Sequence, residues 1–243
     1  MGLTIHYTLD AGTRPLPEIR QLVGALRAQA ATLPFASVRE IVELAGKECR
    51  FVRGKQDPHA WLKIQTQRYP ELKVEGGAVG ATVHPTHIIA FSIQPSDGCE
   101  QANFGYCRYP STVDIRGRRI RTGQKGWSWS SFCKTQYSSN PTLGGMENFL
   151  KAHLGIVRLL DYAKELKILG EVKDEGGYWE GRSVTALVQE VGEWNKMIAA
   201  GYGVMRDAVE ATGGDIRQLH SEIAKFSDFE HLEAKGREKG ASE

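Results

Sequence analysis

The sequence predicts an α+β fold with a central, mostly antiparallel sheet over about residues 84–139 and helices from both terminal parts packed on it. Two observations predict it. Between residues 84 and 139 apolar and polar positions alternate with period two, separated by clusters of Gly, Pro, Ser and Asp. On either side, apolar residues recur at helical spacing. No fixed repeat or clear linker divides the chain, so we expect one domain over residues 1–235 and a polar flexible tail over 236–243.

The amino-terminal part is expected to hold one strand and two helices. "LTIHYTL" alternates as a short strand does, and "RPLPEIRQLVGALRAQAATL" then places its apolar residues on one helical face, with Pro17 in the first turn. In "ASVREIVELAG", Val38, Ile41 and Val42 share a stripe that Gly46 would end, which predicts a second short helix. Residues 51–80 mix turn residues with short apolar pieces and are expected to be loop with one or two short strands.

The central region contributes the sheet. Strands are predicted in "HIIAFSIQP", "NFGYCRYP", "RRIRTG" and "WSWSSFCKTQYSS", and "DIRGRRIRTG" has the form of a tight hairpin. In the last strand, alternation places Trp127, Trp129 and Cys133 on the face that we expect to be buried. The hairpin arginines and Lys125 form the most basic stretch of the chain. No aromatic residues interleave with that stretch for base stacking, so we do not expect nucleic acid as a partner.

The carboxyl half turns helical. "GGMENFLKAHLGIVRLLDYAKELK" predicts a helix, "ILGEVKDE" a strand, and "SVTALVQEVGEWNKMIAA" a second helix with Ser183 as its amino-terminal cap. Two weaker helices are predicted over residues 203–211 and 215–232.

Composition limits the classes of function. The 31 Lys and Arg residues nearly balance the 29 Asp and Glu residues, so the overall charge indicates no polyanionic partner. No segment approaches the roughly 20 apolar residues that cross a bilayer, and "MGLTIHYTLD" lacks the pattern of an export signal. We therefore expect a soluble, cytoplasmic protein without membrane contact.

The cysteines and histidines suggest neither disulfides nor a metal. Four cysteines without a CxxC pair favour reduced thiols. His84 and His87 could join Cys99 and Cys107 around zinc, but the two cysteines lie eight residues apart. We expect no metal and no cofactor. The chain also contains no GxxxxGK[ST], GxGxxG after a strand, HExxH or GxSxG, which disfavours the standard nucleotide-binding, zincin and serine hydrolase classes.

The strongest candidate site is "KDEGGYWEGR", residues 173–182, at a junction of predicted strand, glycine-containing loop and helix start. Asp174 and Glu175 could divide acid and base roles, and Tyr178 and Trp179 offer flat surfaces for a sugar or a base. Adjacent carboxylates on a strand point to opposite faces. A catalytic pair would therefore need a group from another element.

Several residues could supply that group or the binding contacts. Glu100 is a candidate acid, His153 a candidate base, Cys133 a candidate nucleophile, and Arg108 and Arg182 candidate ligand-binding cations. Each has a structural alternative. His153 and Cys133 could be core residues, and Arg182 could pair with Glu175 or Glu180 while the aromatic residues close the edge of the core.

Two functional hypotheses follow. In the first, these residues line an acidic and aromatic pocket for a small polar or sugar-like ligand, with hydrolysis as one use of the carboxylates. In the second, the protein is a non-enzymatic interaction module that docks another protein through exposed aromatic residues and the basic hairpin. Acids converging in a concavity would favour the pocket, and a flat apolar patch would favour the docking surface.

Overall fold

The computed structural model describes residues 3–54, 56–74 and 77–240 and has the predicted α+β fold. The strands described are β1 (Thr4–Gly12), β2 (Ser37–Val38), β3 (Val42–Ala45), β4 (Glu71–Val74), β5 (Gly77–Gly80), β6 (His87–Gln94), β7 (Ala102–Arg108), β8 (Thr112–Ile115), β9 (Arg118–Arg121), β10 (Trp127–Lys134) and β11 (Leu169–Asp174). The helices described are α1 (Leu16–Thr32), α2 (Ala60–Gln65), α3 (Gly145–Glu165), α4 (Tyr178–Gly181), α5 (Val184–Ala211) and α6 (Phe229–Gly240).

Seven strands form one antiparallel sheet in the order β11, β1, β10, β7, β6, β2, with β3 also paired to β6. The prediction of a sheet over residues 84–139 is confirmed, and β1 and β11 extend it beyond that range. The basic stretch forms the predicted hairpin, β8 with β9, and β4 pairs with β5 in a second small hairpin. No helix in the described ranges is long and apolar enough to cross a membrane.

The main core lies between one face of the sheet and the helices α1 and α3. Ile19 and Leu26 of α1 and Ile156 and Leu160 of α3 are fully buried in it. On β10 every second side chain is buried, as alternation predicts for Trp127, Trp129 and Cys133. Burying such side chains contributes about 1.5–3 kcal/mol each, which makes this face the main source of stability.

The sheet is split between β7 and β10. These strands pair only at Trp127 with Arg108 and at Ser128 with Cys107. Beyond that point the backbone carbonyl of Asn103 accepts hydrogen bonds from Tyr7 Oη and Trp129 Nε1, both at 2.8 Å. Side-chain donors thus replace the missing backbone hydrogen bonds between the two strands, because a buried carbonyl without a partner costs free energy.

The second face of the sheet is only half covered. Over β6 and β7, the segment that contains α2 buries Cys49, Leu62 and Val83 against Cys107. Over β1, β10 and β11 the outward side chains stay exposed or half-buried. We call this uncovered part, formed by the outward residues of β1, β10 and β11, the open face.

The structure differs from the helix predictions in three places. Residues 36–46 form β2 and β3 rather than a helix, because β6 offers them a pairing edge and local periodicity does not outweigh such non-local pairing. The helices predicted at 183–200 and 203–211 are one helix, α5. Within residues 215–232, two short 3-10 turns precede α6.

The prediction of one domain and a polar tail from residue 236 stays a prediction. The described chain is helical as far as Gly240, and Arg237 and Lys239 form ion pairs with acids of α5.

Candidate functional site

The stretch 173–182 follows β11 and turns sharply into α4 and α5. A Cβ on Gly176 would lie 2.5 Å from a methyl group of Leu187 and 2.7 Å from one of Leu3, so a larger residue would have to displace these two buried side chains. Gly177 has a φ of +67°, in the left-handed region that glycine tolerates best. Ser183 then caps α5 by accepting a hydrogen bond from the Ala186 amide, as predicted. The loop is therefore held at both ends.

Asp174 and His153 do come together, as a shared site would require. His153 Nε2 lies 3.1 Å from Asp174 Oδ2, and His153 Nδ1 lies 3.0 Å from Thr135 Oγ1. The Asp174 carboxylate also accepts hydrogen bonds from the amides of Gly176 and Trp179, both at 2.9 Å. These contacts join β11, α3 and the loop into one network.

This network is sealed from solvent. The side chains of His153 and Asp174 both have zero exposed surface, and Thr135 is fully buried. Burial raises the pKa of Asp174, but the hydrogen bonds from His153 and the two loop amides outweigh burial and hold that pKa below its ordinary value. Asp174 is therefore ionised, and His153 carries a proton on Nε2. A ligand cannot reach either group, so the network holds the loop in place.

Glu175 points to the other side of the strand, as alternation predicts. Its Oε2 accepts a hydrogen bond from the Thr4 amide at 3.1 Å, and its Oε1 lies 3.8 Å from Nε2 of His6. Asp174 and Glu175 consequently have separate partners on opposite faces of the sheet, and they do not form a carboxylate pair.

Tyr178, Trp179 and Arg182 fasten the loop to α3. Arg182 forms a two-pronged ion pair with Asp161, at 2.7 Å for each oxygen, instead of pairing with Glu175 or Glu180. Its guanidinium lies 4.6 Å from the centre of the Trp179 ring and covers one face of that ring. Tyr178 and Trp179 pack against the main core. In this arrangement the aromatic residues close the edge of the core and do not form an open platform for a ligand.

Cys133, Glu100 and Arg108 do not join this group. Cys133 and Asp174 are register partners of Ile5 on its two sides, so two strand spacings of about 10 Å in all separate them. The Cys133 thiol donates to the backbone carbonyl of Glu100 at 3.2 Å, and burial raises its pKa. The Glu100 side chain is exposed, and Arg108 is exposed at the far end of β7. These positions leave Cys133 without a base.

The candidate metal ligands and the other thiols do not form a reactive site among the described residues either. In the part of the chain that the structure describes, no three His, Cys, Asp or Glu side chains are grouped to hold a metal ion. All four cysteines are free, and burial raises the pKa of each, to about 11 for Cys49. A thiol with a raised pKa is mostly protonated at neutral pH and reacts slowly.

A cleft of about 380 Å³ lies instead on the open face, where the α2 segment meets β1, β10 and β11. We call it the open-face cleft. It is lined by His6, Tyr7, Thr8, Gln65, Arg68, Ser130, Ser131, Phe132, Glu171 and Lys173. Its volume lies in the range of small-molecule sites, which is about 300–1,000 Å³.

The floor of the open-face cleft continues into the split between β7 and β10. Gln65 donates to Ser131 Oγ and accepts from Asn103 Nδ2, both at 2.6 Å. Asn103 in turn accepts from Ser92 Oγ at 2.5 Å. This chain of hydrogen bonds fixes the side-chain amide of Gln65, which positions the polar floor of the cleft before any ligand enters.

The walls of the cleft carry two cations. Arg68 and Lys173 form no ion pair within the described ranges, and the only charged-ring contact of Arg68 is with Tyr109 at 5.7 Å. The half-buried ring of Phe132 lies 5.9 Å from that of His6. The cleft therefore offers two cations, the carboxylate of Glu171, hydrogen-bonding groups and an aromatic surface together.

Sequence reasoning missed most of this cleft. Gln65 and Arg68 lie in a stretch predicted only as loop with short strands. The available signal was the second face of β10, where Ser128, Ser130 and Phe132 alternate with the buried residues.

No family model, curated protein or solved structure matches this chain.

Proposed function

We propose that the protein binds a small polar ligand with an anionic group, of the size and chemistry of a sugar acid, in the open-face cleft. The observation that carries this proposal is the presence of Arg68 and Lys173, two cations without ion-pair partners in the described chain, beside the half-buried ring of Phe132. A carboxylate or phosphate would supply the missing partner. A sugar ring would pack on the aromatic surface.

The fixed hydrogen-bond chain through Gln65 supports the same proposal. A polar group that its neighbours already orient loses little entropy when it binds a ligand. Gln65 is held on both sides, by Ser131 and by Asn103. Of the residues first considered for the site, Glu175 lies nearest to this cleft, because it contacts His6.

The proposal is for binding rather than turnover. Hydrolysis by two carboxylates requires both to reach the bond that breaks. Asp174 lies in a sealed network on the opposite face from Glu175. Glu171 of the cleft would have to act without a second acid from that network.

Thermal unfolding in the presence of probe compounds tests the proposal. Glucuronate and glucose 6-phosphate should raise the unfolding midpoint, and glucose should raise it far less, because only the first two carry the anionic group. Arg68→Gln and Lys173→Gln should each weaken binding by about tenfold, as expected for the loss of one charge-assisted hydrogen bond worth about 1.5 kcal/mol.

The control is Lys151→Gln, which removes the same charge from an exposed position on α3. It should bind the anionic probes as the wild type does. If none of the probes shifts the midpoint, or if the shift survives both cleft substitutions, the proposal is wrong.

A further inference from the structure

Two segments of the chain carry all of its excess positive charge. Residues 46–83 and 108–126 contain 13 Lys and Arg against five Asp and Glu, whereas the rest of the chain contains 18 against 24. These two segments pack on each other: β4 lies beside β9, and Tyr109 donates to the Thr66 carbonyl at 2.9 Å. We call them together the basic lobe. The total charge is nearly neutral because the basic lobe and the rest of the chain have opposite net charges.

Three arginines of the β8–β9 hairpin are available to a partner. Arg116, Arg119 and Arg121 are exposed, and none of them forms an ion pair with a described residue. Elsewhere the charges are largely paired: the acids of α5 and α6, for example, hold Arg206 and Arg237. Asp114 lies opposite Arg119 and Glu71 lines the groove beside it, but neither forms an ion pair with these arginines. Exposed arginines without an ion pair are suited to phosphate, which their planar guanidinium groups can bind with two parallel hydrogen bonds.

Exposed aromatic rings lie in the same lobe. Tyr69 is 69% exposed at the start of the segment leading into β4, and Trp61 is 51% exposed on α2. Lys73 of β4 and Arg119 and Arg121 of β9 line one groove of about 510 Å³. The hairpin sequence alone contains no aromatic residue, but the fold brings this second, aromatic-bearing segment beside it.

We propose that the basic lobe binds single-stranded nucleic acid, with phosphates on Arg116, Arg119 and Arg121 and bases stacked on Trp61 and Tyr69. Cationic grooves with flat aromatic faces bind unpaired bases with little sequence preference. A duplex fits less well, because its bases are already stacked. The one α-helix described in the lobe, α2, also has only six residues, too few to serve as a reading helix in a major groove.

This proposal differs from the expectation drawn from the hairpin sequence, and it does not depend on the open-face cleft. The cleft shares Gln65 and Arg68 with the segment 46–83, but the residues tested differ. Arg68 and Lys173 are tested for the cleft, whereas Trp61, Tyr69, Arg116, Arg119 and Arg121 are tested for the lobe. Either proposal can fail while the other holds.

Fluorescence anisotropy with a labelled oligothymidylate of about 20 nucleotides tests the proposal. The wild-type protein should bind it, and affinity should fall steeply between about 50 and 200 mM salt. Replacing Arg116, Arg119 and Arg121 with Gln should lower the slope of log affinity against log salt by about two, at about 0.7 per lost phosphate contact. Trp61→Ala and Tyr69→Ala should each weaken binding about tenfold with little change in that slope, because stacking is not ionic.

A matched triple variant controls for total charge. Lys151→Gln, Arg158→Gln and Lys167→Gln remove three exposed cations outside the lobe, and this protein should bind the oligonucleotide as the wild type does, apart from a small general loss. Unfolding midpoints of all variants establish that they are folded. Three results would overturn the proposal: no binding at about 50 mM salt, equal loss in the two triple variants, or equal affinity for a duplex or a polyglutamate peptide.

Discussion

Asp174 shows how a carboxylate that looks catalytic in the sequence can have a structural role. It is ionised, buried and satisfied by three donors: His153 and the amides of Gly176 and Trp179. A carboxylate in this state contributes to stability because removing one member of a buried, hydrogen-bonded group leaves the others without partners. The separation of Asp174 from Glu175 on opposite faces follows directly from strand alternation.

We expect Asp174→Asn to lower the free energy of unfolding by about 3 kcal/mol, as for the loss of one partner from a buried ion pair. Urea denaturation measures this directly. Glu175→Gln is the control, because Glu175 is half-exposed and its amide replacement can still accept from Thr4. A loss of under about 0.5 kcal/mol for Asp174→Asn would contradict the structural role.

The same residue sets an acid dependence. The folded state lowers the pKa of Asp174, so its contribution is complete above the ordinary carboxyl pKa and is lost as the pH falls through the lowered value. Glu43 acts in the same direction, since hydrogen bonding from Arg20 lowers its pKa from 4.5 to about 2. Stability should therefore fall as the pH drops below about 4.5, in urea midpoints measured at successive pH values.

The Asp174→Asn variant separates the two contributions. Its stability should fall less steeply on acidification than that of the wild type, because only Glu43 and other carboxyls remain to be protonated. Parallel curves for the two proteins would show that Asp174 does not titrate as described.

At the scale of elements, β6 and β7 approach each other so closely at one position that only glycine fits there. A Cβ on Gly105 of β7 would lie 2.2 Å from the Ile89 carbonyl oxygen and 2.4 Å from the Ala90 Cβ. Both neighbours belong to β6, and the nearer atom is backbone, so neither can move aside as a flexible side chain would. The register of β6 on β7 depends on this small residue.

We expect Gly105→Ala to destabilise the protein by at least about 1–3 kcal/mol, the usual cost of forcing extra volume into a packed core. Gly24→Ala on α1 is the matched control, because nothing lies within 4 Å of its added Cβ. In a helix that change should stabilise by about 0.5–1 kcal/mol. Thermal unfolding of the two variants should give shifts of opposite sign, and shifts of the same sign would contradict the packing of β6 on β7.

The elements that the sequence predicted well are those whose pattern is local. β1, α1, α3 and β11 follow from periodicity, and the Ser183 cap follows from residue type. Residues 36–46 carried an equally good helical stripe, yet Val38 and Val42 pair with β6. That outcome depends on a strand some 50 residues later in the chain, which local spacing cannot reveal.

At the scale of the whole molecule, the candidate sites arise where distant segments meet. The open-face cleft combines β1, α2, β10 and β11, and the basic lobe combines two segments separated by β6 and β7. The sequence could place Lys173 and Glu175 outward from Asp174, but it could not show that Gln65 and Arg68 lie across the cleft from them. The hypothesis of a protein-docking module stays a prediction, and it draws on the same basic hairpin.

We propose the open-face cleft, rather than the buried network of Asp174 and His153, as the ligand site. NMR of backbone amides during titration with glucuronate tests it most directly. We predict that shifts concentrate at the lining of the cleft, around His6, Ser130, Phe132 and Lys173, and that Arg68→Gln needs about tenfold more glucuronate to reach them. Shifts centred on His153 and Trp179, or no shifts in the cleft at saturating probe, would contradict it.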